Sequence, residues 1–218
     1  MPVGWQKPPV KRWLFINLKR MTTKVNILFD GGFFTRKFEE KNGHFPSAKE
    51  VEAEVSKIMS ELAKKTNGET TDILFRVYYY DCKPFDETVK DSSGKGTYDF
   101  SKSFIYKRQQ NYLNDLRRLD KFAVRLGELS FDGWKPDLHN PKKLKPDFKQ
   151  KGVDMKVGLD MAMMAMKHLV DKVILVAGDS DFVAPIKFVR KEGLQVYLYS
   201  MGHKVKFRLI EHCDFVLS

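Results

Sequence analysis

The sequence predicts a three-layer α/β fold with a mostly parallel central sheet, and two observations lead to that prediction. Short apolar runs rich in β-branched and aromatic residues alternate with longer segments whose apolar residues recur at helical spacing. Several of the short runs end directly at Gly or Asp, which is typical of a buried parallel strand that turns into a helix. Such alternation favours a parallel sheet with helices packed on its faces.

A strand–helix–strand unit is predicted in the first part of the chain. Residues 24–30 (KVNILFD) have the pattern of a buried strand and end at a Gly-Gly pair. Ser47 and Glu50 form a capping-box pattern, and the helix that they begin is expected to end near Gly68. Residues 71–81 (TDILFRVYYYD) predict the second strand because they are rich in β-branched and aromatic residues.

The middle of the chain predicts a helix, a strand and a long loop. Residues 82–98 are polar, with a loop tip expected at residues 94–96. A basic helix is predicted at residues 104–119 and a third strand at residues 122–129. Residues 131–151 contain three prolines and six lysines, and we expect them to form a basic loop.

The last third of the chain again alternates between helix and strand. The expected helices are residues 152–170, 182–191 and 205–212, and the expected strands are residues 172–177 and 195–200, before the apolar residues 215–217. The first of these helices carries five methionines, a stripe that predicts adaptable core packing rather than a cofactor site.

The length of the chain favours one domain. We expect it at residues 23–218, preceded by a basic, loosely ordered arm at residues 1–22. Met21 stands just before the first strand, so we keep the hypothesis that it is the natural start and that the arm is an upstream addition.

The charge of the chain favours a polyanionic partner. Lys and Arg total 39 against 28 Asp and Glu, a formal net charge of +11, which indicates nucleic acid first and an anionic membrane surface second. No apolar run reaches the roughly 18–20 residues that span a bilayer. Two cysteines are too few for a disulfide scaffold, and five scattered histidines lack zinc-site spacing. These features predict a soluble, cytoplasmic protein.

Four aspartates stand where apolar runs meet Gly or where helices begin. They are Asp30, Asp154, Asp179 and Asp181. Ligands of open parallel sheets gather beyond the carboxyl ends of the strands, and carboxylates are the protein groups that hold hard cations. The four residues therefore predict a divalent-metal site, with Asp160 and Ser180 in supporting positions around it.

Each aspartate also has a purely structural interpretation. Asp and Ser are preferred N-caps, so one residue among 179–181 is expected to cap the following helix. Asp30 precedes Gly in a common turn dipeptide, and Asp154 could simply interact favourably with a helix dipole. Two aspartates flanking a serine exceed what one cap requires, and the joint placement of all four favours the metal site.

These motifs together resemble the NYN domain of the LabA-like type, a branch of the PIN-like nuclease superfamily. The resemblance covers residues 24–218 and rests on FDGG at Asp30, YYYD at Asp81, KGVD at residues 151–154, and AGDSDF at residues 177–182. It implies a Rossmann-like sheet on which the acids corresponding to Asp30, Asp154, Asp179 and Asp181 bind Mg2+ or Mn2+ for RNA cleavage. The family often has Asn three residues after the first Asp, where this chain has Phe33.

The function predicted from these residues is a metal-dependent endoribonuclease that hydrolyses RNA phosphodiester bonds. Lys142, Lys143, Lys145 and Lys151 are expected to contact backbone phosphates. A non-catalytic RNA-binding or scaffold module that retains the acidic pocket stays open, and Phe33 and the basic arm favour it. At least one tyrosine among residues 78–80 is expected to be core, although these rings could also stack bases.

Two other enzyme classes fit less well. A haloacid-dehalogenase-like phosphatase expects Asp-x-Asp after the first strand, and a Toprim-like site expects Glu there, whereas this chain has Asp30 followed by two glycines. Exposed edge strands leave a homodimer open.

Overall fold

The computed structural model describes residues 21–138 and 140–217. Residues 1–20 of the expected N-terminal arm lie outside the described residues. Met21 and Thr22, which we had also assigned to the arm, already belong to the first strand. The first strand therefore begins three residues earlier than residues 24–30 predict.

The described residues contain nine strands and six α-helices. The strands are β1 (Met21–Asp30), β2 (Thr70–Cys82), β3 (Thr88–Lys90), β4 (Thr97–Asp99), β5 (Phe122–Pro136), β6 (Leu144–Lys151), β7 (Lys172–Val176), β8 (Gln195–Tyr199) and β9 (Phe215–Leu217). The helices are α1 (Gly31–Asn42), α2 (Ala48–Lys65), α3 (Phe104–Arg117), α4 (Val153–Met166), α5 (Val183–Lys191) and α6 (Phe207–Ile210), with single 3-10 turns at Phe100–Lys102 and Ser180–Phe182.

Seven strands form one curled sheet in the order β6-β5-β2-β1-β7-β8-β9, and β3 pairs only with β4. Every pair in the large sheet is parallel except β5 with β6. This confirms the prediction of an α/β fold with a mostly parallel sheet flanked by helices. Since β1 pairs in parallel with both β2 and β7, the carboxyl ends of these three strands lie at one edge.

The apolar core divides into two clusters. Successive side chains of a strand point to opposite faces of the sheet, so Ile27 and Phe29 belong to one cluster and Leu28 to the other. Helices α1 to α3 contribute buried side chains to the first cluster, and α4 to α6 contribute to the second. The sheet is therefore packed on one face by α1 to α3 and on the other by α4 to α6, and this packing holds the edge that carries the aspartates.

The capping box of α2 is confirmed, but the helix before it was missed. Ser47 Oγ accepts from Glu50 N, and the Glu50 carboxylate accepts from Ser47 N at 2.8 Å. The sequence predicts that the strand ends at the Gly-Gly pair, and it predicts no helix there, whereas Gly31 opens α1. Two consecutive glycines indicate a turn in sequence, yet Phe33, Phe34 and Phe38 of α1 are buried in the core and hold the helix there.

The predicted basic loop at residues 131–151 is wrong, because this segment is a β-hairpin. Strand β5 continues to Pro136, beyond the predicted end at residue 129, and β6 returns antiparallel to it. Prolines had argued against a strand, but β6 is an edge strand, where a missing N–H is tolerated. Phe131 faces Phe148 across the pair, and the hairpin is held by such aromatic contacts.

One smaller difference lies near the end of the chain. The helix expected at residues 205–212 is the single turn α6. None of the helices in the described ranges combines the length and the apolar character needed to cross a bilayer.

Candidate functional site

The edge formed by the carboxyl ends of β1, β2 and β7 carries the aspartates, and we call it the acidic edge. Asp30 is the last residue of β1, and Asp179 follows β7 after two residues. Asp181 lies in the 3-10 turn after β7, and Asp154 is in the first turn of α4. The parallel register of β1 with β7 brings segments some 150 positions apart in sequence to one place.

Asp30 is the N-cap of α1. Its Oδ1 accepts from Phe33 N at 3.1 Å, and the side chain is half-buried. Burial raises the pKa of this carboxyl above its usual value, the Phe33 N–H opposes that shift, and the charge of Asp154 adds to it. Arg36 lowers the pKa of Asp30 again. Asp30 therefore caps α1 instead of forming the expected turn. The negative charge of Asp154 still raises its pKa.

Asp154 lies in the first turn of α4, as the dipole interpretation expects, but it does not cap the helix. The N-cap of α4 is Gly152, and no side chain caps this helix. The carboxylate is exposed, and its pKa is raised first by desolvation and then by the charges of Asp179 and Asp181. Three carboxylates therefore act on one another at the start of α4 and the end of β7.

Asp179 is the residue that caps the turn after β7. It accepts from Asp181 N at 3.1 Å, so one of the three residues 179–181 does cap, as the structural alternative expected. Asp179 and Asp181 are both exposed, and Asp181 makes no cap of its own within the described residues. Capping accounts for one aspartate of this pair and leaves the other without a structural reason.

A cavity of about 310 Å³ joins Asp30 to Asp179, and we call it the acidic cavity. Phe33 and Gly178 form part of its wall. Its rim is basic, with Arg36, Lys37, His203, Lys204 and Lys206. Our sequence reasoning missed this rim, although the run HKVK at residues 203–206 was a signal. Lys37 is paired with Glu40 at 2.6 Å, which leaves Arg36, Lys204 and Lys206 as the cations best placed for a phosphate.

Asp81, which we had not selected as a site residue, lies at the carboxyl end of β2. It is 6% exposed, its Oδ1 accepts from Cys82 N at 2.7 Å, and its Oδ2 accepts from Gln109 Nε2 at 2.8 Å. Burial raises the pKa of Asp81 to about 6, with the charge of Asp30 adding to the shift and both hydrogen bonds opposing it. The YYYD motif was the signal for this residue.

The two supporting residues differ in what they contact. The Asp160 carboxylate accepts two hydrogen bonds from Arg125, both at 3.0 Å, and one from the Tyr80 hydroxyl at 2.9 Å. It is therefore engaged by β2 and β5 and fixes the position of α4, the helix that carries Asp154. Ser180 lies between the two aspartates of the 3-10 turn, and its carbonyl accepts from Val183 N.

The four lysines proposed for phosphate contact are spread along the hairpin. Lys151 is the last residue of β6, directly before α4, whereas Lys142 and Lys143 are in the turn between β5 and β6. Lys145 is on β6 and pairs with Asp137 at 3.6 Å. A strand rises about 3.3 Å per residue, so Lys145 and Lys151 are roughly 20 Å apart. Only Lys151 of the four stands next to the acidic edge.

The tyrosines of β2 are mostly core. Tyr79 and Tyr80 are completely buried, and the Tyr79 hydroxyl accepts from the Tyr112 hydroxyl at 2.9 Å. Tyr78 is half-buried and stacks on Tyr80 with ring centroids 6.3 Å apart. The expectation that at least one of them is core is confirmed, and none is a free platform for a base.

The ligand atoms available at the acidic edge are carboxylate oxygens, which are of the type that a hard divalent cation binds. Carboxylate oxygens are what Mg2+ and Mn2+ prefer. Burial, and to a smaller extent neighbouring acids, raise the pKa of Asp30 and Asp154, and a bound cation would favour the ionised forms. Within residues 21–138 and 140–217, however, no three His, Cys, Asp or Glu side chains form a ready-made metal-binding group. The acids are coupled electrostatically without forming a closed cage.

An α/β domain with a mostly parallel sheet and aspartates gathered at its carboxyl edge is consistent with the fold of the PIN-like nucleases. The family model of the NYN domain matches residues 45–218. The chain therefore belongs to the NYN domain family, a PIN-like nuclease family. The match begins after β1 and α1, so it includes Asp154, Asp179 and Asp181 but not Asp30.

Among the solved structures that match, the following is similar over most of the chain. It is a protein of unknown function from Vibrio parahaemolyticus RIMD 2210633, 18% identical, with a TM-score of 0.51 over 89% of this chain and 91% of that chain. At this identity the likeness shows the fold alone. No curated protein matches the chain.

Proposed function

We propose that this NYN domain, of the LabA-like type, is a metal-dependent ribonuclease that hydrolyses RNA phosphodiester bonds at the acidic edge. One observation carries the proposal. Asp30 and Asp179, from neighbouring strand ends, share a cavity rimmed by Arg36, Lys204 and Lys206, and Asp154 is coupled electrostatically to both aspartates. Acids for a cation beside cations for a phosphate make a site that suits an anionic substrate and Mg2+ or Mn2+ together.

The acidic and the basic residues of the site have different roles. Asp30, Asp154, Asp179 and Asp181 would hold the ion. When bound, Mg2+ or Mn2+ supplies positive charge to the phosphate and lowers the pKa of water, so that water can act as a nucleophile at neutral pH. The basic rim neutralises the phosphates on either side of the bond that is cut, and it does so without reading the base sequence.

A non-catalytic RNA-binding module is the second candidate, and Phe33 favours it. The family often has a polar Asn at this position, whereas the Phe33 ring is buried in the wall of the acidic cavity, where it offers nothing to a cation or a phosphate. Metal-dependent turnover separates the two functions.

The deciding experiment measures cleavage of labelled single-stranded RNA, structured RNA and DNA in Mn2+ or EDTA. The parent protein should cut RNA in Mn2+ only, and Asp154→Asn should reduce cleavage to background, since Asp154 is coupled to Asp30, Asp179 and Asp181. Asp115→Asn is a matched control, because Asp115 is exposed in the last turn of α3 and pairs only locally with Arg118.

Cleavage that survives Asp154→Asn would place the activity elsewhere or in a contaminant. RNA binding without cleavage, in the parent and in both variants, would establish the binding module in place of the ribonuclease.

A further inference from the structure

A second cavity, of about 410 Å³, lies beside the acidic edge, and its walls are aromatic. We call it the aromatic cavity. The rings that line it are Phe85, Tyr98, Phe100, Trp134 and Phe148, besides Tyr106. Small-molecule sites in proteins have volumes of roughly 300–1,000 Å³, so the space suits a planar group of nucleotide size.

The walls come from the two parts of the chain that the sequence left as loops. Tyr98 and Phe100 come from the segment around the small β3–β4 pair, and Trp134 and Phe148 come from the β5–β6 hairpin. Phe100 stacks on Trp134 at 6.0 Å and contacts Phe148 at 5.3 Å. Trp134 Nε1 donates to Lys90 O at 2.9 Å. These contacts hold the rings in place before any ligand arrives.

Tyr98 differs from the other rings because it is 41% exposed. It meets the buried Phe100 edge-on at 4.7 Å, and it contacts Trp134 at 6.0 Å. A ring that is supported on one side and open on the other can accept a second planar group against its free face.

Part of the lining of the aromatic cavity is polar. Asp81, Gln109 and Gln150 line it, and the first two are joined by the 2.8 Å hydrogen bond from the Gln109 amide. A purely apolar ligand would cover a carboxylate and two amides without offering them hydrogen bonds, which is costly. The lining suits a flat ring whose edge carries N–H donors and carbonyl acceptors.

The aromatic cavity adjoins the acidic edge directly. Gly32, which follows Asp30 by two residues, lines it, and the Gln150 amide is so close that a Cβ on Gly32 would lie 3.3 Å from Nε2. Asp81 follows Tyr80, the register partner of Asp30, and neighbouring strands are about 4.8 Å apart. One nucleotide can therefore have its phosphate at the acids and its base in the aromatic cavity.

We propose that the aromatic cavity binds the unpaired base of the RNA nucleotide that adjoins the phosphodiester held at the acidic edge. This inference rests on the proposed ribonuclease function and specifies its substrate as single-stranded RNA. The base stacks on Tyr98 and the rings behind it, while its edge is met by Asp81, Gln109 and Gln150. A base in a duplex is stacked and paired, so it cannot enter.

The test measures the affinity of the full chain for an end-labelled single-stranded RNA by fluorescence anisotropy in EDTA, so that no cleavage occurs. Tyr98→Ala should weaken binding about 10-fold to 100-fold, the range expected for loss of one stacked base. Phe104→Ala is the control, because Phe104 is an aromatic of neighbouring α3 that is 77% exposed and does not line the cavity. Gln150→Ala, at an exposed position, is a second variant should Tyr98→Ala perturb folding.

A set of RNAs with one abasic residue moved along the strand identifies the base that is bound. One abasic position should weaken binding to the parent and have no further effect on Tyr98→Ala. Equal binding of intact and abasic RNA by the parent would overturn the proposal, and so would parent-like affinity in both Tyr98→Ala and Gln150→Ala. A parallel assay in Mn2+ separates the two ideas, because base-dependent binding without cleavage refutes the ribonuclease and leaves the base site in place.

Discussion

Phe33 and Gly178 show how single residues shape the acidic edge. A Cβ on Gly178 would lie 2.5 Å from Phe33 Cε2, so the buried ring packs directly on the glycine backbone. The Phe33 N–H also holds the Asp30 carboxylate, and Gly178 directly precedes Asp179. Phe33 thus packs the end of β1 against the end of β7.

The contact predicts the effect of Gly178→Ala. The added methyl group meets the buried Phe33 ring, so the ring or the backbone must shift, and overpacking of this kind costs about 1–3 kcal/mol. For a chain of this size that lowers Tm by roughly 2–10 °C, which a thermal melt measures. Phe33→Leu in the same protein should recover part of the loss, since it removes the atoms that clash. A double variant as unstable as the sum of the two single variants would contradict this explanation.

The β5–β6 hairpin is rich in lysine, and several of these lysines form ion pairs within the hairpin. Lys135 pairs with Asp147, Lys149 with Asp132, and Lys145 with Asp137, all between the two strands or their connection. Within the part of the chain that the structure describes, Lys142 and Lys143 form no ion pair. The turn of the hairpin therefore carries charge that an RNA backbone can use.

The turn lysines predict a salt effect rather than a change in catalysis. Replacing both Lys142 and Lys143 by Ala should weaken RNA binding uniformly across sequences, and it should reduce the slope of log K against log salt by about 1–2, since each lost phosphate contact removes roughly 0.7–0.9. Binding isotherms at several salt concentrations measure this slope. Lys191→Ala is the control, because Lys191 ends α5, beside the amino end of β8. An unchanged slope would show that the hairpin turn does not contact RNA.

In the molecule as a whole, the pKa values of carboxyl groups shift in opposite directions at the two edges of the sheet. At the amino edge, Asp72 is paired with the buried Lys172 at 2.6 Å and accepts from Thr23 and Thr70. Burial opposes the ionised form of Asp72, yet these bonds outweigh it and lower the pKa of that carboxyl. At the acidic edge, burial and neighbouring acids raise the pKa of Asp30, Asp81 and Asp154.

This contrast predicts how stability depends on pH in EDTA. A carboxyl whose pKa is raised in the folded protein stabilises the fold while protonated, and that contribution is lost as pH rises through the folded pKa. For Asp81 the loss falls between about pH 4 and pH 6. Asp154→Asn removes one raised carboxyl, so its Tm should exceed that of the parent at pH 7 by roughly 1–3 °C and match it at pH 3.

Thermal melts at both pH values check this, with Asp115→Asn expected to follow the parent. Mn2+ should raise the Tm of the parent at pH 7 and raise that of Asp154→Asn much less. A Tm for Asp154→Asn below that of the parent at pH 7 would mean that the carboxylate stabilises the fold, and the account of a strained acidic edge would fail.

Much of the architecture was predictable because its signals are local. The apolar runs of β1, β2, β7 and β8, and the capping box of α2, each lie within a few consecutive residues. The hairpin and α1 were not predictable in the same way. Prolines, lysines and a Gly-Gly pair favour loops locally, and only the packing of residues such as Phe34 and Phe148 against distant segments overrides that preference.

The sequence supplied the candidates for the chemistry, namely aspartates at predicted strand ends and helix starts in a basic chain. Tertiary structure alone decided which of them meet, because the order β5-β2-β1-β7 places segments distant in sequence side by side. It also brought Arg36 next to Lys204 around one cavity and assembled the aromatic cavity from two apparent loops. Proximity of this kind depends on strand pairing across the whole chain, which no local pattern of residues encodes.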